Sequence, residues 1–118
     1  MSRLGAGRTQ VDGDNSAPRA LRLDRCKLVL LTGPHRGQEF VLSADLITVG
    51  KDKDNDVVLD EETVSREHFE IVRDPRVYLI RDLESTNGTF LDGAQIKEGF
   101  AKNGSVISAG TAKLKIQP

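Results

Sequence analysis

One cysteine and two histidines are all the soft metal ligands this 118-residue chain holds. Cys26 has no second cysteine to bridge, and the three groups fall short of a structural zinc set. No run approaches the ~20 apolar residues of a membrane-spanning helix. The basic start from Met1 to Arg8 leads into no apolar segment of the secretory kind. These absences lead us to expect a chain without metal, cofactor or membrane, at work in the cytoplasm. Aromatic residues make up only 4%, so a core has to be built mainly from aliphatic side chains. Nowhere do apolar residues recur at i, i+3, i+4 and i+7 for the length of a helix; residues 61–68 allow one short turn at most. The net charge is -1, divided as five Lys/Arg against three Asp/Glu in residues 1–25 and twelve against fifteen in residues 26–118. A mildly acidic main part argues against direct contact with nucleic acid, so a bound anion must be held by a local cluster of donors.

What is present is a soluble composition, 37% apolar and 30% charged, in a chain long enough for one ordinary domain. Residues 1–25 show no apolar period, and Gly, Ser, Asp, Asn and Pro crowd residues 5–18, which reads as a flexible N-terminal arm. Residues 26–118 read as the domain. Short β-rich runs recur there at 27–32, 38–42, 46–50, 56–59, 69–73, 77–82, 89–91, 105–108 and 112–116. The breaks between them, among them Gly33-Pro34, Asp74-Pro75, Asn87-Gly88, Asp92-Gly93 and Asn103-Gly104, supply the residues tight turns need. That spacing predicts an all-β fold, a two-sheet antiparallel β-sandwich. Run 77–82 is apolar on both faces, as a strand inside a sheet should be. Leu28, Leu30, Phe40, Leu42, Ile47, Val49, Val57, Leu59, Phe69, Ile71, Val106, Ile107, Leu114 and Ile116 are the further core candidates.

Three loops at strand ends concentrate polar residues: Val49-Gly50-Lys51, Val64-Ser65-Arg66-Glu67-His68-Phe69 and Asp82-Leu83-Glu84-Ser85-Thr86-Asn87-Gly88-Thr89-Phe90. Loops held on a rigid sandwich are where binding sites are built. Together these residues resemble the forkhead-associated (FHA) domain, whose pattern runs Gly-Arg, then Ser-x-x-His, then Ser-Thr-Asn-Gly-Thr. The match extends in order from Cys26 to Gln117 and includes Asp54-Asn55-Asp56-Val57-Val58-Leu59 and Phe90-Leu91-Asp92-Gly93. Each motif alone is weak, and the ordered set is specific.

The resemblance implies an FHA/SMAD-like sandwich that reads phosphothreonine peptides. In the family's pattern Ser65 and Thr86 donate hydroxyl bonds to the phosphate and Arg66 adds a cation. Asn87 grips the peptide main chain with an amide that both donates and accepts. Gly50 and Gly88 would be backbone positions without tolerance for a side chain, and His68 a buttress between loops. Lys51 stands where the family has arginine, a point ammonium in place of a planar two-donor fork. It keeps the charge and loses geometric selectivity, so a phospho-independent docking domain is the alternative reading. The partner implied is a phosphothreonine protein with a Ser/Thr kinase upstream. Thr9, with Asp12 three residues later, is a candidate phosphosite through which the chain's own arm could reach the loops. The stretches Ile96-Lys97-Glu98-Gly99-Phe100 and Asn103-Gly104-Ser105-Val106-Ile107, with Gly110, loosely resemble FHA modules at the N-terminus of bacterial sigma-N-dependent enhancer-binding regulators. There the module is an input to an ATPase.

Each motif also has a plainer reading. Ser65, His68 and Asp82 share the residue types of a Ser-His-Asp triad, but no nucleophile elbow or oxyanion motif accompanies them. Asp52, Asp54 and Asp56 lack the glycine and distal glutamate of a calcium loop. Gly33-Pro34-His35-Arg36-Gly37 lacks the lysine-hydroxyl ending of a nucleotide loop and reads as a hairpin connection, with His35 exposed. Asn87-Gly88 is a strong turn signal in its own right, and Cys26 reads as a small, partly buried hydrophobe.

Overall fold

A computed structural model describes residues 26–74 and 77–118. Its strands are β1 (Lys27–Leu30), β2 (Glu39–Val41), β3 (Leu46–Gly50), β4 (Val57–Val58), β5 (Phe69–Arg73), β6 (Tyr78–Asp82), β7 (Thr89–Leu91), β8 (Ala94–Ile96), β9 (Glu98–Ala101), β10 (Val106–Ala109) and β11 (Ala112–Gln117). They form a six-stranded sheet in the order β2-β1-β11-β10-β7-β8 and a five-stranded sheet in the order β4-β3-β5-β6-β9. The two pack face to face as an all-β sandwich. Every pair is antiparallel except β3 with β4, where Val49 lies opposite Val57 in parallel register. That exception arises because residues 51–56 fold back beside β3, where the Thr48 N–H donates to Asp56 Oδ2 at 2.9 Å. No helix of the described residues is long and apolar enough to cross a membrane.

Period-2 alternation decides the packing. Ile47, Val49, Phe69, Ile71 and Ile80 point inward from the five-stranded sheet, and Leu28, Leu30, Ile107, Leu114 and Ile116 meet them from the other; all are at most 5% exposed. Of the core candidates read from sequence, Phe40 and Val106 are only half-buried: Phe40 lies on the edge strand β2, and Val106 alternates with the inward Ile107 and so faces outward. Cys26 is more deeply buried than expected, at 2% exposure, and its Sγ reaches Asn103 Oδ1 at 3.3 Å. Val64, Tyr78, Ala101, Ala109 and Ala112 complete the interior.

Strands β8 and β9 have no counterpart in the sequence reading. Ala94-Gln95-Ile96 and Glu98-Gly99-Phe100-Ala101 carry too little alternating apolar character to announce themselves; β9 is placed by pairing with β6, and β8 by the turn before it. Asp92 (φ 49°) and Gly93 (φ 91°) both lie in the left-handed region. This is what a two-residue hairpin between Leu91 and its partner Ala94 demands. The Asn87-Gly88 turn forms as expected, with Gly88 at φ 87°. It carries the chain from β6 in one sheet to β7 in the other, so it is no hairpin. Residues 51–56, 61–68 and 83–88 thus emerge at one end of the sandwich, after β3, before β5 and after β6.

Candidate functional site

His68 is fully buried between two of these loops. The Ser65 N–H donates to its Nδ1 at 3.0 Å, so Nδ1 carries the lone pair and the ring proton sits on Nε2. Nε2 in turn donates to the Gly88 carbonyl at 2.9 Å. One neutral ring in one tautomer therefore fixes loop 61–68 against loop 83–88, the buttress the sequence suggested.

The third loop is tied in by Asn55, buried at 8% exposure. Its Nδ2 donates to the Asp52 carbonyl at 2.8 Å and the Arg66 carbonyl at 2.6 Å. Backbone bonds from Lys51 N to Ser65 O (2.9 Å) and Asp52 N to Arg66 O (3.1 Å) run alongside. Gly50 lies beneath this seam. A Cβ there would collide with the Arg66 carbonyl and come within 2.8 Å of Asn55 Nδ2, so the close approach of β3 to the Arg66 backbone requires glycine. Gly88 is favoured by its positive φ of 87°, a conformation that side chains rarely adopt.

Loop 83–88 is shaped by Asp82. Its Oδ1 accepts from Ser85 Oγ (2.5 Å) and Thr89 Oγ1 (2.7 Å), and its Oδ2 from Ser85 N (3.2 Å). Gly88 N then donates to Ser85 Oγ at 3.0 Å. Burial alone would raise the Asp82 pKa, but the hydrogen bonds from Ser85 and Thr89 outweigh it and hold the carboxyl below its ordinary value.

These braces leave a cleft of about 670 Å³ lined by Lys51, Asp52, Val64, Ser65, Arg66, Glu67, Leu83, Glu84 and Thr86. Four of the five binding residues read from the sequence, Lys51, Ser65, Arg66 and Thr86, meet there. Ser65 Oγ accepts the Thr86 N–H at 3.0 Å, which leaves its own hydroxyl proton to donate into the cleft. Asn87, the fifth, does not line this cleft. Its Nδ2 donates to the Thr63 carbonyl at 2.8 Å, which leaves the amide oxygen and a second N–H. Thr63 is itself held by Thr111, whose N–H donates to Thr63 Oγ1 at 2.9 Å. Thr9 lies outside the described residues.

Sequence reasoning missed Asn55, the Asp82–Ser85–Thr89 cluster and the three carboxylates Asp52, Glu67 and Glu84 on the cleft. An asparagine between two aspartates looks solvated, and only the tertiary seam buries it. The Asp-x-x-Ser spacing of Asp82 and Ser85 was the one available signal, since short polar side chains at that spacing fold a turn on themselves. Glu84 adopts φ 58°, a conformation no sequence pattern announced.

The triad reading fails on geometry. His68 receives the Ser65 N–H rather than the hydroxyl, and the Asp82 carboxylate is bound to Ser85 and Thr89, so neither is placed to take the Ser65 hydroxyl proton. Asp52 and Asp56 are turned to Asp54 N and Thr48 respectively. No group of three or more His, Cys, Asp or Glu among the described residues is placed to hold a metal. A second hollow of about 640 Å³, between Leu30, Pro34, His35, Val58 and Glu61, contains no lysine or arginine and none of the motif residues. The convergent donors single out the first cleft.

Residues 29–118 match the protein family described as the inner membrane component of T3SS, cytoplasmic domain. The chain is 34% identical over 87 residues to an oxoglutarate dehydrogenase inhibitor of Corynebacterium jeikeium, covering 74% of this chain and 60% of that protein. It is 31% identical over 87 residues to the glycogen accumulation regulator of Mycobacterium tuberculosis, covering 74% and 54%. It thus spans little more than half the length of these relatives. A solved structure from a study of phosphothreonine-dependent FHA domain interactions superposes with a TM-score of 0.73 at 32% identity, covering 79% of this chain and 95% of that one.

Proposed function

We propose, from the premise that this chain belongs to the forkhead-associated family, that its loop cleft binds phosphothreonine peptides and that the domain acts as a regulatory adaptor. The observation that carries this is the convergence of Lys51, Ser65, Arg66 and Thr86 on one cleft. A phosphate near charge -2 needs several donors at once. Here the Ser65 and Thr86 hydroxyls donate directly and Arg66 supplies a charged fork. Lys51 adds charge without fixing geometry. Asn87 holds the peptide main chain outside the phosphate cleft, while Gly50, His68 and Gly88 set the loops. The domain is a binding module and not an enzyme.

The relatives suggest the regulatory setting. One is named as an inhibitor of oxoglutarate dehydrogenase and another as a regulator of glycogen accumulation. On that likeness we place the module in the control of metabolic enzymes, in the cytoplasm and downstream of a Ser/Thr kinase. The input domain of a sigma-N-dependent transcription regulator, which residues 96–110 suggested from sequence, finds no counterpart in these names and is set aside. Phosphorylated Thr9 on the chain's own arm is a ligand of the right chemistry for the same cleft.

A second reading, docking without phosphate, is favoured by Lys51 together with Asp52, Glu67 and Glu84, since three carboxylates beside two cations weaken an anion site. A degenerate phosphothreonine peptide library and its unphosphorylated twin separate the two. Enrichment of phosphorylated peptides alone, falling steeply as salt rises, supports the phosphate-centred reading. Equal retention of both libraries, insensitive to salt, supports docking. For Thr9, a phosphorylated peptide of residues 4–14 should shift the amide resonances of Thr86 and Asn87; no shift removes Thr9 as a ligand.

A further inference from the structure

The outward face of the five-stranded sheet carries a feature the phosphate cleft does not use. Leu46 lies opposite Val72, Val72 opposite Leu79, and Leu79 opposite Phe100. These four side chains form an apolar row across β3, β5, β6 and β9. Phe100, at its end, is 68% exposed and Leu46 49%. The next row along the strands is Glu70, Arg81 and Glu98, with Arg81 bridging to Glu70 at 2.7 Å and to Glu98 at 3.5 Å. The apolar row ends at β9, which among the described residues pairs with β6 only.

The free edge of β9 can be read from its register. Asp82 N donates to Lys97 O at 2.8 Å. Alternation then turns Gly99 and Ala101 toward β6, and the N–H and C=O groups of Glu98 and Phe100 toward the open side. An open edge of this kind is a template for another strand.

We infer that this edge pairs with a second copy of the chain, β9 against β9, about a two-fold axis perpendicular to the sheet. Such an axis requires a residue of the strand to face itself, which limits the registers. With Gly99 on the axis, Glu98 would face the Phe100 ring of the second copy. With Phe100 on the axis, the two rings meet, and Glu98 of each copy lies opposite Lys102 of the other. Lys102 lies just past β9, is exposed and has the same parity as Glu98 and Phe100; its N–H and carbonyl are held by Ser105, so in this register the backbone pairs at Phe100 and the Glu98 and Lys102 side chains meet beside it. The second register joins the two apolar rows into one and makes two opposite-charge pairs, each of the kind that stabilises cross-strand neighbours. It is therefore the register assigned. The contact is self-complementary and closes as a dimer. The far edge, β4, has only two residues and offers no comparable strand for further growth. Because the paired strands run antiparallel, the two phosphate clefts lie at opposite ends of the dimer.

An interface built on one short strand is small, so the dimer belongs to the weak, concentration-dependent class. Sedimentation velocity of the full chain over a rising concentration series tests it. Wild type should move from monomer to dimer. Glu98→Lys sets lysine against lysine and Lys102→Glu sets glutamate against glutamate, so each alone should weaken association at least tenfold; Phe100→Ser should do the same. An equimolar mixture of the Glu98→Lys and Lys102→Glu chains should associate again, because the heterodimer restores both opposite-charge pairs. All three positions are exposed, and unchanged circular dichroism of the variants would confirm that the fold survives. Wild type that stays monomeric, single variants that dimerise like wild type, or a mixture that fails to associate would each overturn the inference.

Discussion

The His68 ring satisfies a backbone donor on one loop and a backbone acceptor on another, so its loss is felt at both. His68→Ala should lower stability by about 3 kcal/mol, the sum of a core cavity and two unpaired buried groups. Urea denaturation at pH 7 measures it, and a loss below about 1 kcal/mol would show that the loops hold without the ring. Asp82 makes a prediction in pH. Its folded pKa lies below its ordinary value, so the stabilisation it confers is fully present above the unfolded value of about 3.9 and is lost as pH falls through the folded one. The stability gap between wild type and Asp82→Asn should therefore be constant from pH 7 to about pH 5 and narrow in stronger acid. A gap that widens on acidification would contradict the assignment. Gly50→Ala forces a methyl against the Arg66 backbone and should cost about 1–3 kcal/mol while pushing Lys51 and Ser65 apart.

At the scale of elements, legibility depends on whether a segment's structure is written locally. Strands β3, β5 and β7 match the sequence reading residue for residue, because each has apolar alternation bounded by clear turn residues. Strands β8 and β9 were invisible, since nothing in Ala94-Gln95-Ile96 or around Gly99 distinguishes a strand from a loop. The pairing of β8 with β7 depends on the turn at Asp92-Gly93, whereas β9 is set by its pairing with β6. No atom would lie within 4 Å of a Cβ on Gly93, so Gly93→Ala isolates backbone strain at φ 91°. We expect a loss of about 1–2 kcal/mol in a urea titration, with the hairpin amides of β7 and β8 exchanging faster with solvent. The cleft was legible in four residues that line it, Lys51, Ser65, Arg66 and Thr86, which belong to short ordered motifs. It was illegible in its supports: Asn55 and the Asp82–Ser85 turn acquire their roles from chain segments far away in sequence, and Glu84 enters the cleft through a backbone conformation that residue type disfavours.

For the whole molecule, scarcity of aromatics places unusual weight on the two rings that are fully buried. Phe69 and Tyr78 are at most 1% exposed and are the largest side chains in a core otherwise made of Leu, Ile, Val, Ala and the single Cys26. Phe69 also adjoins His68, with ring centroids 6.4 Å apart at an interplanar angle of 84°, so the core supports the site directly. Two sheets that pack rigidly allow three loops to converge with the accuracy a phosphate site requires. The mildly acidic surface explains why the anion must be met by a local cluster. The measurement that tests this account most directly is calorimetric titration of one library-selected phosphothreonine peptide and its unphosphorylated twin into wild type, Ser65→Ala and Lys51→Arg. The account predicts binding of the phosphopeptide alone, a loss of at least tenfold in Ser65→Ala and a gain in Lys51→Arg. Equal binding of the two peptides to wild type, or phosphopeptide binding that Ser65→Ala leaves intact, would contradict it.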